Sequence, residues 1–251
     1  MKVAAYQAPL LPSGSNRAVE LIRERVEWCE RAGVEILCCP EAVLGGLADD
    51  ATRPTDIAIS ARNGQLDTVL APLASDTVTT IVGFTEIAAA GVLYNSAAVF
   101  RRGSVLGVYR KLHPAIRKSI YRSGERIPVF TVGGLTFGIV ICNDSNYAEP
   151  ARVIASQGAT AVFIPSNNGL RPERADVVAQ ARMVDIARAT ENNVWVVRAD
   201  VAGRSAERIS YGSSCIVSPD GAVRQVARPF TEDLLIADIA ATSGKRVRGL
   251  A

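Results

Sequence analysis

The sequence predicts a layered α/β fold built around mixed β-sheets. Three observations predict it. Helical patterns come in pairs, separated by runs of strands. Several strands follow one another through short turns, which favours antiparallel hairpins beside any parallel pairing. No repeat, low-complexity stretch or linker interrupts the pattern, and a cut anywhere would strand half of the strands. One domain spanning residues 1–251 is therefore expected. The chain is 48% hydrophobic and 21% charged, enough to bury a large core.

The elements can be justified in order. "KVAAYQA" alternates and reads as a first strand. "NRAVELIRERVEWCERAG" places Val19, Ile22, Val26 and Cys29 on one face and stops at Gly33, so it predicts an amphipathic helix. "VEILCCPE" is a short apolar strand closed by Pro40, and a second helix is expected between about Thr55 and Leu73. "TTIVGFTEI", "VLYNSAAVF" and "VLGVYRK" then read as hairpin-linked strands, the last two turning on "RRGS". After an irregular stretch from Leu112 to Pro128, "VFTVGGLTFGIVIC" predicts another hairpin across Gly133 and Gly134. A helix from roughly Glu149 to Gln157 and the strand "ATAVFIPS" follow. "PERADVVAQARMVDIARATENN" predicts a helix with Val177, Ala181, Val184 and Ala187 on one side. "VWVVRADV" is a strand, "SSCIVSPDGAVRQVA" a hairpin on Pro219-Asp220-Gly221, and "DLLIADI" the last strand.

Composition excludes several classes. A formal net charge of +3 is too small and too dispersed to argue for nucleic acid. The short basic stretch from Gly244 to Leu250 reads as a solvated or subunit-contacting end. No apolar run approaches the roughly 18–20 residues that span a bilayer. "MKVAAYQAPLLP" lacks the pattern of a signal peptide. Five cysteines with no CxxC pair argue against a disulfide framework or a zinc site. A reducing compartment, the cytoplasm, is expected. Arginine outnumbers lysine heavily, since lysine occurs only at Lys2, Lys111, Lys118 and Lys245. A lysine inside the pattern hints at chemistry that needs a compact amine.

Three residues share a context. Glu41 ends "ILCCPE", Lys111 ends "LGVYRK" and Cys142 ends "GIVIC". In layered α/β folds, sites lie outside strand ends, where loops converge. Singly, each has a commonplace reading: a packed thiol, a turn residue, a solvated edge guard. Together they form an acyl-transfer set. Cys142 is the candidate nucleophile, Glu41 the acid–base group, and Lys111 with the Asn143 N–H the stabiliser of negative oxygen.

The motifs around these residues resemble those of the nitrilase superfamily, the carbon–nitrogen hydrolases. "CCPEAVLGG" is similar to the glutamate motif, "YNSAAVF…GSVLGVYRKLHP" to the lysine motif, and "GIVICND…AEPAR" to the cysteine motif. Further similarity runs through "RATENNVWVVRADVAG" and "YGSSCIVSPDG" to "LLIADI". The resemblance implies a four-layer α-β-β-α sandwich and a Glu41–Lys111–Cys142 triad. It implies a homodimer or larger homo-oligomer, no metal and no organic cofactor.

The chain departs from the family pattern in places. Many members carry a second glutamate after the lysine, but the corresponding positions here are Lys118 and Ser119. Asn143-Asp144 stands where nitrilases usually show Trp-Glu, favouring a small amide or carbamoyl substrate over a nitrile. Asn167 and Asn168 in "PSNNGL" are candidate donors to a polar substrate, or else members of a loop turn. His113 is the only histidine, and its counterpart in the family is structural rather than a cysteine's partner. The competing readings are a nitrile-directed hydrolase and an inert member that binds or scaffolds.

Overall fold

Alternation along the first strand sets the layering. In the computed structural model, which describes residues 1–115, 119–169, 176–205 and 208–240, β1 (Lys2–Pro9) is buried on both faces. Val3 and Ala5 enter one apolar core, while Ala4, Tyr6 and Ala8 enter another. A strand packed on both sides must be sandwiched between layers, because successive side chains point to opposite faces.

Among the described residues, the sheet containing β1 has eight strands. Its order is β11 (Arg208–Tyr211), β10 (Val201–Ser205), β1, β2 (Ile36–Cys38), β3 (Thr79–Ile87), β4 (Leu93–Arg101) and β5 (Ser104–Arg110), with β14 (Asp233–Asp238) also paired to β1. β1, β2 and β3 run parallel, whereas β3, β4 and β5 form an antiparallel meander. The second sheet runs β13 (Val223–Val226), β12 (Cys215–Val217), β9 (Trp195–Ala199), β8 (Ala161–Pro165), β7 (Leu135–Ile139) and β6 (Val129–Val132). Its central strands β7, β8 and β9 are parallel.

The two sheets face each other through one core. Ile36, Ile81, Val99 and Tyr109 come from the first sheet, and Phe137, Ile139, Phe163 and Val197 from the second. α1 (Ala18–Ala32) and α2 (Gln65–Leu70) cover the outer face of the first sheet through Ile22, Val26, Cys29, Leu66 and Leu70. α3 (Ala148–Ser156) and α4 (Val177–Asn192) cover the outer face of the second through Ile154 and Ala189. The layers are α-β-β-α. Among the described residues, no helix is long and apolar enough to cross a membrane.

The elements differ from the sequence expectations in instructive places. The helix expected over 55–73 is broken into a 3-10 turn at Pro54–Ile57, α2, and a second 3-10 turn at Ala71–Leu73. Gly64 precedes α2 with φ 77°, and Pro72 sits in the closing turn, so neither end can extend. "VWVVRADV" is two strands, because the chain changes sheets at Asp200. The Asp200 carboxylate accepts the backbone N–H of Val201, Asn168 and Ser213, which replaces ladder bonds at the crossing. β11 follows as a strand of its own, ending in the "YGSS" turn. In α4 the expected apolar side is only half-buried, and the deepest positions are Asp185, Arg188 and Ala189. Lys118 and the stretch from Gly244 to Leu250 lie outside the described residues.

Candidate active site

Three chain segments converge on a cavity of about 580 Å³, a volume suited to a small molecule. Glu41, Lys111 and Cys142 all line it.

Glu41 follows β2 by three residues. Its segment passes so close to β3 that a β-carbon on Gly83 would lie 2.4 Å from the Pro40 carbonyl oxygen and 2.5 Å from the Ala42 nitrogen. Only glycine fits there. Ala42 takes φ 45°, a strained value that turns the chain away immediately after Glu41. The side chain is 2% exposed, and its carboxylate is fully engaged. Oε1 accepts from Lys111 Nζ at 2.6 Å and Asn95 Nδ2 at 2.7 Å, and Oε2 accepts from Asn167 N–H at 2.9 Å.

Lys111 leaves β5 directly, with its N–H on the Asn95 carbonyl at 2.8 Å. Burial alone would push its ammonium toward losing the proton. The Glu41 carboxylate, together with Cys142 and Asp144, more than offsets that and holds it charged, above the ordinary lysine value.

Cys142 opens a 3-10 turn, Cys142–Asn146, three residues beyond β7. Its own φ is 45°, a left-handed value that swings the side chain out of the strand line. Burial pushes its thiol up to about 12, and Glu41 pushes the same way, while Lys111 and Arg198 oppose. The sulfur's hydrogen-bond partner is Asn168 Oδ1 at 3.8 Å. Asp144 N–H already bonds Ile141 O at 2.9 Å, so the turn closes one residue after Asn143.

The Cys142 turn is lashed to the Lys111 loop. The Asp144 carboxylate accepts from Tyr109 OH at 2.7 Å, His113 N at 2.7 Å and Ile141 N at 3.1 Å. Burial pushes that carboxyl up, and Tyr109, Lys111 and the backbone donors pull it back. Asn143 Nδ2 donates to His113 O at 3.1 Å. The other four cysteines are fully buried core residues.

The remaining expected site residues line the same cavity with distinct contacts. Asn167 supports Glu41 through its backbone. Asn168 Nδ2 donates to Asp200 Oδ2 at 2.9 Å and Ser213 Oγ at 3.0 Å, so the atom it turns toward the sulfur is an acceptor. His113 does not line the cavity; its ring stacks on Tyr147 with centroids 3.8 Å apart. Glu125 is exposed. Besides Asp144, the loop after Lys111 meets Asp49, which accepts from Ser119 Oγ and Ile120 N, both at 2.9 Å.

Sequence reasoning missed Asn95, Asp49, Arg208 and Arg198, all lining residues. Two carried a signal. Asn95 interrupts the apolar run of β4, and Arg198 that of β9. Polar groups in buried strands have partners.

A family model described as carbon-nitrogen hydrolase matches residues 2–248. The chain is 31% identical to a protein named nitrilase from Pyrococcus abyssi, over 89% of this chain and 82% of that one. It is 29% identical to an (R)-stereoselective amidase from Pseudomonas sp, over 75% of this chain and 67% of the amidase. Among solved structures, a mutant of the amidase from Nesterenkonia sp. AN1, with acrylamide added at its active site cysteine, superposes with a TM-score of 0.80. It shares 23% identity, over 96% of this chain and 94% of that one.

Proposed function

The chain belongs to the carbon–nitrogen hydrolase family, within the nitrilase superfamily, and we propose that it cleaves small amides or carbamoyl compounds through a thioester on Cys142. The observation that carries this reading is the buried contact of 2.6 Å between Lys111 Nζ and Glu41 Oε1, in the cavity that Cys142 also lines.

Chemistry assigns the roles. Cys142 attacks the substrate carbonyl as Glu41 takes the thiol proton. Lys111 and the Asn143 N–H hold the oxygen that becomes negative, each such donor contributing about 3–4 kcal/mol. Glu41 returns the proton to the departing nitrogen, and ammonia or an amine leaves. Water, with Glu41 again as base, then releases the acid from the thioester. A base is needed because the thiol, pushed up to about 12, is protonated at neutral pH.

The polar lining supports an amide-sized, hydrogen-bonding substrate. The similarity to two proteins named amidases supports an amide bond as the target. A nitrile-directed hydrolase is the second reading, favoured by the name of the Pyrococcus abyssi relative. A panel of primary amides, N-carbamoyl compounds and nitriles, scored by ammonia release, separates the two. Amide or carbamoyl turnover that disappears in Cys142→Ser is the expected result. Nitrile turnover alone would favour the second reading, and full turnover by Cys142→Ser would remove the nucleophile assignment.

A further inference from the structure

Among the described residues, the largest fully buried side chain is charged. Arg198 is 2% exposed, lies on β9 among apolar neighbours, and still lines the cavity. Burying a guanidinium is costly unless its N–H groups are met. Here they are met by three partners. Nε and Nη2 take both oxygens of Asp185 on α4, at 2.7 and 2.5 Å. Nη1 donates to Ser166 Oγ at 2.5 Å, and Nη2 also donates to Ser145 Oγ at 3.0 Å.

Those two serines belong to the two halves of the site. Ser145 lies in the Cys142 turn and donates to the Cys142 carbonyl at 2.7 Å. Ser166 accepts the Glu41 N–H on its own carbonyl at 3.2 Å, and the next residue, Asn167, donates to the Glu41 carboxylate. A strained residue such as Cys142, at φ 45°, persists only when its surroundings over-determine it.

We infer that Arg198 is a positioning residue of this site: it ties the Cys142 turn to the segment that holds Glu41, and it fixes a positive charge in the cavity wall that Asp185 tunes. The inference rests on Cys142 being the nucleophile. The charges facing Cys142 are Glu41 and Asp200 on the negative side, Lys111 and Arg198 on the positive. Those facing Arg198 are Asp185 on α4, with the thiols of Cys142 and of Cys215 on β12. Cys38 on β2 also feels the guanidinium, and Arg182 on α4 faces Cys215. Lysine could not replace this fork, because one ammonium cannot hold a carboxylate at two points while reaching two hydroxyls.

The two functions separate by experiment. Iodoacetamide alkylation of Cys142, followed by peptide mass from pH 6 to 10, reads the charge. Asp185→Asn leaves the guanidinium uncompensated, so alkylation at a fixed pH becomes about tenfold faster. The paired replacement Arg198→Met with Asp185→Leu removes both charges in apolar form, so alkylation becomes about tenfold slower. Opposite directions from two changes at one contact are not what a purely structural role gives. Ser145→Ala reads the tether: kcat falls about tenfold, KM stays within about threefold, and the alkylation profile is unchanged. Folded Asp185 variants that alkylate at the wild-type rate across the pH range would overturn the charge role. Undiminished kcat in Ser145→Ala, a change of one hydroxyl, would overturn the tether even if the Asp185 variants did not fold. If instead Cys142→Ser turned over normally, the nucleophile reading itself would fail, whatever the Arg198 variants did.

Discussion

Cys142 carries a thiol that its surroundings keep protonated, and this shapes how its reactivity is tested. Burial is the first cause and the Glu41 carboxylate the second, with Lys111 and Arg198 too weak to reverse them. With the thiol pushed up to about 12, the thiolate fraction grows about tenfold per pH unit through the neutral and mildly alkaline range. Iodoacetamide alkylation of Cys142 is expected to climb in that proportion from pH 6 to 10. A rate already flat from pH 6 upward would show a resident thiolate and make Glu41 unnecessary as its base. Asn95 offers a second residue-scale test. Its Nδ2 bond of 2.7 Å to Glu41 Oε1 is charge-assisted and buried, a bond worth about 1.5–3 kcal/mol. Asn95→Ala is expected to lower kcat about tenfold to a hundredfold with the fold retained, as circular dichroism and steady-state kinetics would show. That Glu41, Lys111 and Cys142 meet in one cavity was legible because each lies at or just beyond the end of a strand whose burial the apolar run announces. The roles of Asn95, Asp49 and Arg198 were not, although Asn95 and Arg198 interrupt apolar runs, because those roles depend on partners 54, 70 and 53 residues away in Glu41, Ser119 and Ser145. Spacing along the chain does not encode such contacts.

At the scale of elements, the acid is placed by what β3 lacks. With Pro40 O at 2.4 Å and Ala42 N at 2.5 Å from a would-be β-carbon, Gly83→Ala must push the Glu41 segment off β3. Both obstacles are backbone, which cannot rotate aside. Overpacking of this kind costs about 1–3 kcal/mol, and the displacement falls on Glu41 itself. Gly83→Ala is expected to lower the denaturation midpoint and to reduce kcat at least tenfold, and unchanged kcat would show that Glu41 is held from elsewhere. Most element boundaries were legible. Glycine announced the end of α1 at Gly33, with φ 69°, and the hairpin at Gly133 and Gly134. The sheet change at Asp200 was not legible, because β9 and β10 together read as one apolar strand. What divides them is a carboxylate satisfied by residues on two distant loops, at Asn168 and Ser213.

For the whole molecule, one large apolar core lies between the sheets. Phe137 is fully buried there, with its ring centroid 5.1 Å from Phe163 and 5.7 Å from Phe130. Phe137→Ala leaves a cavity in the middle layer and is expected to cost about 3–5 kcal/mol in urea unfolding, with the site's alkylation profile unchanged. A loss below about 1 kcal/mol would mean that the layers can collapse to fill it. The four layers themselves were legible as a class from paired helices and runs of strands, while their stacking order came from resemblance. The crossing at Asp200 has one further consequence at this scale. A single uninterrupted thread, residues 195 to 205, is stitched into both sheets, with Asp200 at the seam and Asn168 fastened to it. The two sheets are therefore joined by continuous chain at this point, and parting them there would have to break the bonds that Asp200 accepts from Asn168 and Ser213.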